Sequence, residues 1–187
     1  MLRLFSERKI QQILQRLDGS IHQIAATYSL PPAVLQAVIH KEMSMMNLPD
    51  LLADFLVWTN LFPKKDSSTG YSQIFGSVGI AAVNEAVDQG LCSYESLRIP
   101  VTHRLDATNP KDLRTFWRFL RKDRYANLEV ATLNLLSCAK EKVGHTHFGS
   151  MSPEELQLVF TRYNANVNHI TSYGASAYQL YQHYTTA

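Results

Sequence analysis

The chain has 187 residues, of which 45% are hydrophobic and 18% charged, and its formal net charge is +2. That composition excludes wholesale disorder and fits one globular domain able to bury a core without staples. The mild positive balance suits an anionic polymer but is too small to argue for nucleic acid on its own.

In chain order, Ile10, Ile13, Leu14 and Leu17 share one helix face, and Asp18-Gly19 reads as a break. Ser20 with Gln23 reads as a capping box for a short helix through Tyr28. Pro31 then opens a helix running to about Met43, since a first turn tolerates proline. Leu51, Leu52, Phe55 and Leu56 suggest a helix ended by Pro63. A polar loop from Lys64 to Gly70 leads through Tyr71-Ser72-Gln73-Ile74 into a helix from about Ser77 to Gln89. Asn109-Pro110 caps a helix whose Leu113, Phe116, Trp117 and Leu120 face one way. A further helix covers about Asn127 to Lys142 and stops at Gly144. Ser152-Pro153-Glu154-Glu155 starts the next, with Leu156, Val159, Phe160 and Tyr163 on one face. A last aromatic helix carries Tyr178 and Tyr181. No period-2 strand stands out, so the expected class is all-α, in a single domain over 1–187 with 1–19 as an N-terminal helical extension.

The two cysteines, Cys92 and Cys138, match no metal or redox spacing and read as buried small hydrophobes. His145-x-His147 has no carboxylate at ligand spacing, so neither a zinc site nor any cofactor is expected. No phosphate-cradling glycine loop and no nucleophile elbow occurs. The N-terminal MLRLFSERKIQQ has no apolar stretch of signal-peptide length, and no run is long enough to span a membrane.

Glu42 is the informative residue. At about 100° per residue, with Val34 at zero, Leu35, Val38 and Ile39 fall at about 100°, 40° and 140°, and Glu42 at about 80°. A carboxylate in the middle of an apolar arc is unexpected, because ionised groups are rarely buried without partners. Apolar surroundings and the negative end of the helix dipole both favour the protonated form. A carboxyl that keeps its proton near neutral pH is what protonating a glycosidic oxygen requires. The alternative is that the helix ends here and Glu42 rises to solvent at its rim.

The run Ile24-Ala25-Ala26-Thr27-Tyr28-Ser29-Leu30-Pro31-Pro32, continuing to Glu42, resembles the opening of soluble lytic transglycosylases and goose-type lysozymes, where a helix ends in the catalytic Glu. Ser68-Thr69-Gly70-Tyr71-Ser72-Gln73-Ile74 is similar to that family's Gly-Leu-Met-Gln-Ile segment. Arg162-Tyr163-Asn164-Ala165-Asn166, followed by Tyr173-Gly174, resembles its Tyr-Asn-Ala-Gly segment and later Tyr-Gly. The resemblance implies a lysozyme-like helical domain with a substrate cleft. It implies cleavage of peptidoglycan glycan strands at the bacterial cell wall, outside the cytoplasm or after release from it. Glu42 would be general acid and later base. Gln73 would bind sugar near the scissile bond, with Ser68 and Gly70 beside it, Tyr163 close to Glu42, and Asn164 shaping the same wall. Three departures bear on substrate preference. Met43 follows Glu42 where Ser is common, Tyr71-Ser72 replaces Leu-Met, and Asn166 replaces a glycine as the next most tolerant residue for left-handed backbone.

A lytic transglycosylase needs one Glu, because the muramic acid's own C6 hydroxyl attacks. A hydrolytic route wants a second acid to hold water, and Asp66 is the best candidate. Asp50 and Asp54 read as helix-start residues. The rival class is a helix-turn-helix over Gln23 to Ile39, presenting Gln36, His40 and Lys41 to DNA. Arg114, Arg118, Arg121, Lys122 and Arg124 form a basic cluster that could touch phosphates or simply be a solvated face. A third reading is an inactive lysozyme-like domain that binds without cutting. The enzyme reading expects a monomer acting on glycan strands, with no nucleic-acid partner and no membrane span.

Overall fold

The computed structural model describes residues 4–59 and 66–186, and the side chains of residues 50, 51, 53, 54 and 58 lie outside the described set. Among the described residues the chain forms eight α-helices, one 3-10 turn and two strands of two residues each. In order these are α1 (Glu7–Thr27), α2 (Pro32–Met45), α3 (Leu48–Thr59), β1 (Ser68–Thr69), β2 (Ile74–Phe75), α4 (Gly76–Asp88), α5 (Pro110–Lys122), α6 (Arg124–Val143), α7 (Pro153–Asn164) and α8 (Ser172–Thr186). The protein is mostly helical, as the periodicities predict. None of the described helices is long and apolar enough to cross a membrane.

The chain divides into two compact units. One holds Leu4 and Met46–Asn134, the other Phe5–Met45 and the residues from Leu135 onward. In the second unit α8 packs on both α2 and α7, and α1 packs on α2. α1 does not break at Asp18-Gly19. It is a single helix with Ser6 as its N-cap, and Ile10, Ile13, Leu14, Leu17, Ile21, Ile24 and Ala25 are all buried along one stripe. A helical glycine costs about 1 kcal/mol against alanine, whereas burying a side chain such as Ile21 or Ile24 is worth about 1.5–3 kcal/mol. The apolar stripe therefore overrides the local stop signal.

α2 is buried almost all round: Ala33, Val34, Leu35, Ala37, Val38, Ile39, His40 and Met43 are inaccessible. A recognition helix needs an exposed face for the major groove. α2 presents no continuous one: of the three residues offered to DNA, His40 is only 6% exposed and Gln36 and Lys41 are half-buried.

In the first unit α4 packs on α5, and β1 and β2 pair antiparallel with Ser68 opposite Phe75 and Thr69 opposite Ile74. The expectation of no strand is corrected here. Two-residue strands are too short to show alternation, so period-2 patterning could not reveal them. Gly79 lets α4 approach its neighbours closely: a Cβ there would lie 2.8 Å from Phe116 Cε1 and 3.0 Å from Val130 Cγ1. Asn109 caps α5 through its side-chain oxygen, and at the start expected for α7 Ser152 and Glu155 form a capping box. Pro63 lies outside the described residues. Cys138 is buried as expected, whereas Cys92 is half-buried, and burial with the nearby Glu129 pushes its thiol up to about 11.

Candidate functional site

Glu42 stands in the last turn of α2, half-buried. Its carboxylate is not left to apolar neighbours, because Tyr173 Oη donates a short hydrogen bond of 2.5 Å to Glu42 Oε1. Tyr173 is 4% exposed and lies in the first turn of α8. Burial pushes its hydroxyl well above the ordinary tyrosine range, with the neighbouring Glu42 and Tyr163 adding to the effect. The phenol therefore keeps its proton and remains a donor across the physiological range. Lys41 Nζ lies 5.6 Å from the centroid of the Tyr173 ring, a cation–π distance.

Local sequence explains how Tyr173 is aimed. Thr171 precedes α8, and its hydroxyl accepts from Gly174 N, as an N-cap does. The Thr171 amide in turn donates to Thr161 Oγ1 on α7. Gly174 fits where no other residue can: a Cβ would lie 2.1 Å from Thr161 Oγ1 and 2.4 Å from the Gln157 carbonyl. The Tyr-Gly pair thus has two jobs. Its glycine seats α8 against α7, and its tyrosine reaches Glu42.

Tyr163, expected beside Glu42, sits half-buried near the end of α7, close enough to Tyr173 to act on its proton. Asn164 is the last residue of α7 and is exposed. Asn166 is not in left-handed backbone: among the described non-glycine residues only Ser29, Gln73 and Arg98 have positive φ. The expected reason for asparagine at that position is therefore corrected. Ala165 leaves α7 in extended backbone, so the chain exits without the left-handed step that a glycine serves.

The remaining expected residues belong to the first unit. Gln73 has φ +45° and closes the turn between the strands, its Nε2 donating to the Gly70 carbonyl at 2.8 Å. Ser68 Oγ donates to Gln73 Oε1 at 2.9 Å, so Ser68, Gly70 and Gln73 are brought together in one hairpin. Gly70 has φ +75°, and a Cβ there would lie 2.3 Å from Asn127 Nδ2. Asn127 itself is 1% exposed and ties the hairpin down, accepting from Ser72 N and Ser72 Oγ and donating to the Thr69 carbonyl. Trp117 Nε1 adds a bond to the Ser67 carbonyl.

Asp66 is held through both carboxylate oxygens. Its Oδ1 accepts from Gly76 N at 2.8 Å and its Oδ2 from Ser77 N at 2.9 Å. Both oxygens fasten the start of α4, where a negative charge also meets the positive end of the helix dipole. The side chains of Asp50 and Asp54 lie outside the described residues.

Two of these contacts carry little signal in the local sequence. Tyr173 was visible only as part of the Tyr-Gly pair, and nothing local ties it to a residue on α2. Asn127 sits within an apolar helix, and a buried polar residue there was the one available signal of a tertiary anchor. Among the described residues no group of three or more His, Cys, Asp or Glu side chains is placed to hold a metal ion.

No protein-family model matches the chain, and neither a curated protein nor a solved structure matches it. What fold and site define is a mostly helical protein with a buried tyrosine hydrogen-bonded to a half-buried glutamate.

Proposed function

We propose that this chain is a lysozyme-like enzyme that cleaves the glycan strands of peptidoglycan between N-acetylmuramic acid and N-acetylglucosamine, by lytic transglycosylase chemistry, at the bacterial cell wall. The observation that carries the reading is the Tyr173–Glu42 hydrogen bond. A donor locked in its neutral form steadies a carboxylate most when the carboxylate is charged. That is the state Glu42 reaches as it gives its proton to the glycosidic oxygen, so the bond strengthens toward the transition state.

In the proposed reaction Glu42 protonates the leaving oxygen and the bond from that oxygen to the muramic acid C1 breaks. The C6 hydroxyl of the same sugar then attacks C1, and Glu42 takes the hydroxyl proton back. The product carries a 1,6-anhydro ring, no water is consumed, and one carboxyl serves both steps. The two amide bonds to Asp66 favour this single-acid route over hydrolysis with Asp66 as second acid. Tyr163 with Asn164, in the unit that carries Glu42, are the proposed sugar contacts.

The test is release of soluble muropeptides from purified peptidoglycan, with mass spectrometry of the ends. Anhydro ends are expected, together with loss of release in Glu42→Gln. Reducing ends would replace the lyase by a hydrolase, and undiminished release by Glu42→Gln would remove Glu42 from the mechanism.

A further inference from the structure

α5 concentrates positive charge far beyond what the chain's net +2 suggests. Taking Lys111 as zero and about 100° per residue, Arg114, Arg118, Arg121 and Lys122 fall at about 300°, 340°, 280° and 20°. Five cations thus occupy an arc of about 100° along a strip about 16 Å long. The opposite side carries Leu113, Phe116, Trp117 and Leu120, none more than 6% exposed. The Nε atoms of Arg114 and Arg118 are buried, so these side chains lie along the protein rather than waving in solvent. Arg121 stacks 5.5 Å from the Trp117 ring centroid. Holding cations in this way lowers the entropy lost when they engage a partner. Among the described residues no carboxylate forms an ion pair with Lys111, Arg114 or Lys122.

We infer that this face of α5 is a docking surface for the carboxylate-bearing peptide stems of peptidoglycan, which hold the enzyme on its insoluble substrate. The inference rests on the glycan-cleavage reading, which supplies a polyanion as substrate. The face has no apolar flank to enter a bilayer, because the apolar side of α5 is already in the core. Beside the cations the exposed neutral residue is Thr115, and the half-buried Phe119 lies about 60° beyond Lys122, so the face lacks the amides used to read base edges.

Co-sedimentation of the Glu42→Gln protein with intact sacculi tests this without degrading the substrate. Binding is expected to weaken with salt and to fall at least about tenfold when Lys111→Glu, Arg114→Glu and Lys122→Glu are combined. Sacculi whose carboxylates have been amidated are expected to bind no better than that variant does to native ones. The milder pair Lys111→Gln and Lys122→Gln, both at exposed positions, must shift binding the same way if the triple variant fails to fold. Equal binding of native and amidated sacculi, or of the parent and either variant, overturns the inference, as does tighter binding of a DNA duplex through the same residues. Muropeptide release with unaltered docking in the α5 variants would sink the surface alone. Charge-dependent docking without any release would sink the glycosidase reading alone.

Discussion

Tyr173 and Glu42 are 131 positions apart in sequence, yet the phenolic O–H of one is given to the carboxylate of the other. The bond joins α8 to the last turn of α2 and makes a buried tyrosine the immediate partner of the acid in the proposed chemistry.

Tyr173→Phe keeps the ring and removes the donor. A hydrogen bond to a charged group is worth about 1.5–3 kcal/mol, so the rate of muropeptide release should fall about 10- to 100-fold while the far-ultraviolet spectrum is unchanged. Glu42→Gln should cost at least as much, since general acid catalysis contributes about 10²- to 10⁴-fold.

Tyr173 should also titrate late. Its hydroxyl, raised first of all by burial, keeps the proton above pH 10, where an unfolded chain's tyrosine would lose it. The resulting stability is complete below pH 10 and declines as pH rises from there through the higher folded value. Absorbance of tyrosinate should therefore show a delayed group, shared with Tyr125 and Tyr184, whose hydroxyls burial also raises. Tyr173→Phe should remove one member of that group.

Low pH acts on a different cluster. His40 Nδ1 meets Tyr184 Oη at 2.7 Å and its Nε2 lies 3.2 Å from Glu7. Burial lowers the His40 pKa below 6.5 more than Glu7 restores it. An unfolded chain then binds the proton first as pH falls, so this contribution to stability is present above pH 6.5 and lost below it. Melting temperatures measured from pH 8 down to pH 5 should drop, and His40→Gln should flatten the dependence.

Glycines separate two kinds of position. Gly19→Ala, within α1 and with nothing within 4 Å of a new Cβ, should stabilise the protein by about 0.5–1 kcal/mol. Gly174→Ala must push α8 from α7, costing about 1–3 kcal/mol in thermal or denaturant unfolding and displacing Tyr173 with it.

Asp66→Ala should lower stability by about 0.5–2 kcal/mol through loss of the α4 cap. Asp66→Asn keeps an acceptor oxygen and should retain muropeptide release. An inactive, fully folded Asp66→Asn protein would instead mark a second catalytic acid.

Most helices were legible because their signals are local. The i, i+3, i+4 stripes of α5 and α7, the Asn109 cap, the Ser152-Pro153-Glu154-Glu155 start and the stop at Gly144 each lie within a few residues of one another. Glu42 itself was legible as an acid on an apolar arc. Its surroundings were not, because a helix wheel shows which way a side chain leaves the axis but not what it meets. The break expected at Gly19 failed for the same reason, since seven buried side chains on one stripe outweigh one weak helix former.

The amino-acid order alone thus determined the helical class, most element boundaries and the candidate acid, through periodicity and capping, which act within a turn or two. Folding decided that Tyr173 is Glu42's partner, that α2 has no continuous free face, that Asp66 fastens α4 and that Asn127 holds the hairpin. Each of these depends on atoms tens of residues apart or on backbone amides freed at a helix start, and burial sets their strength only once the chain has closed around them.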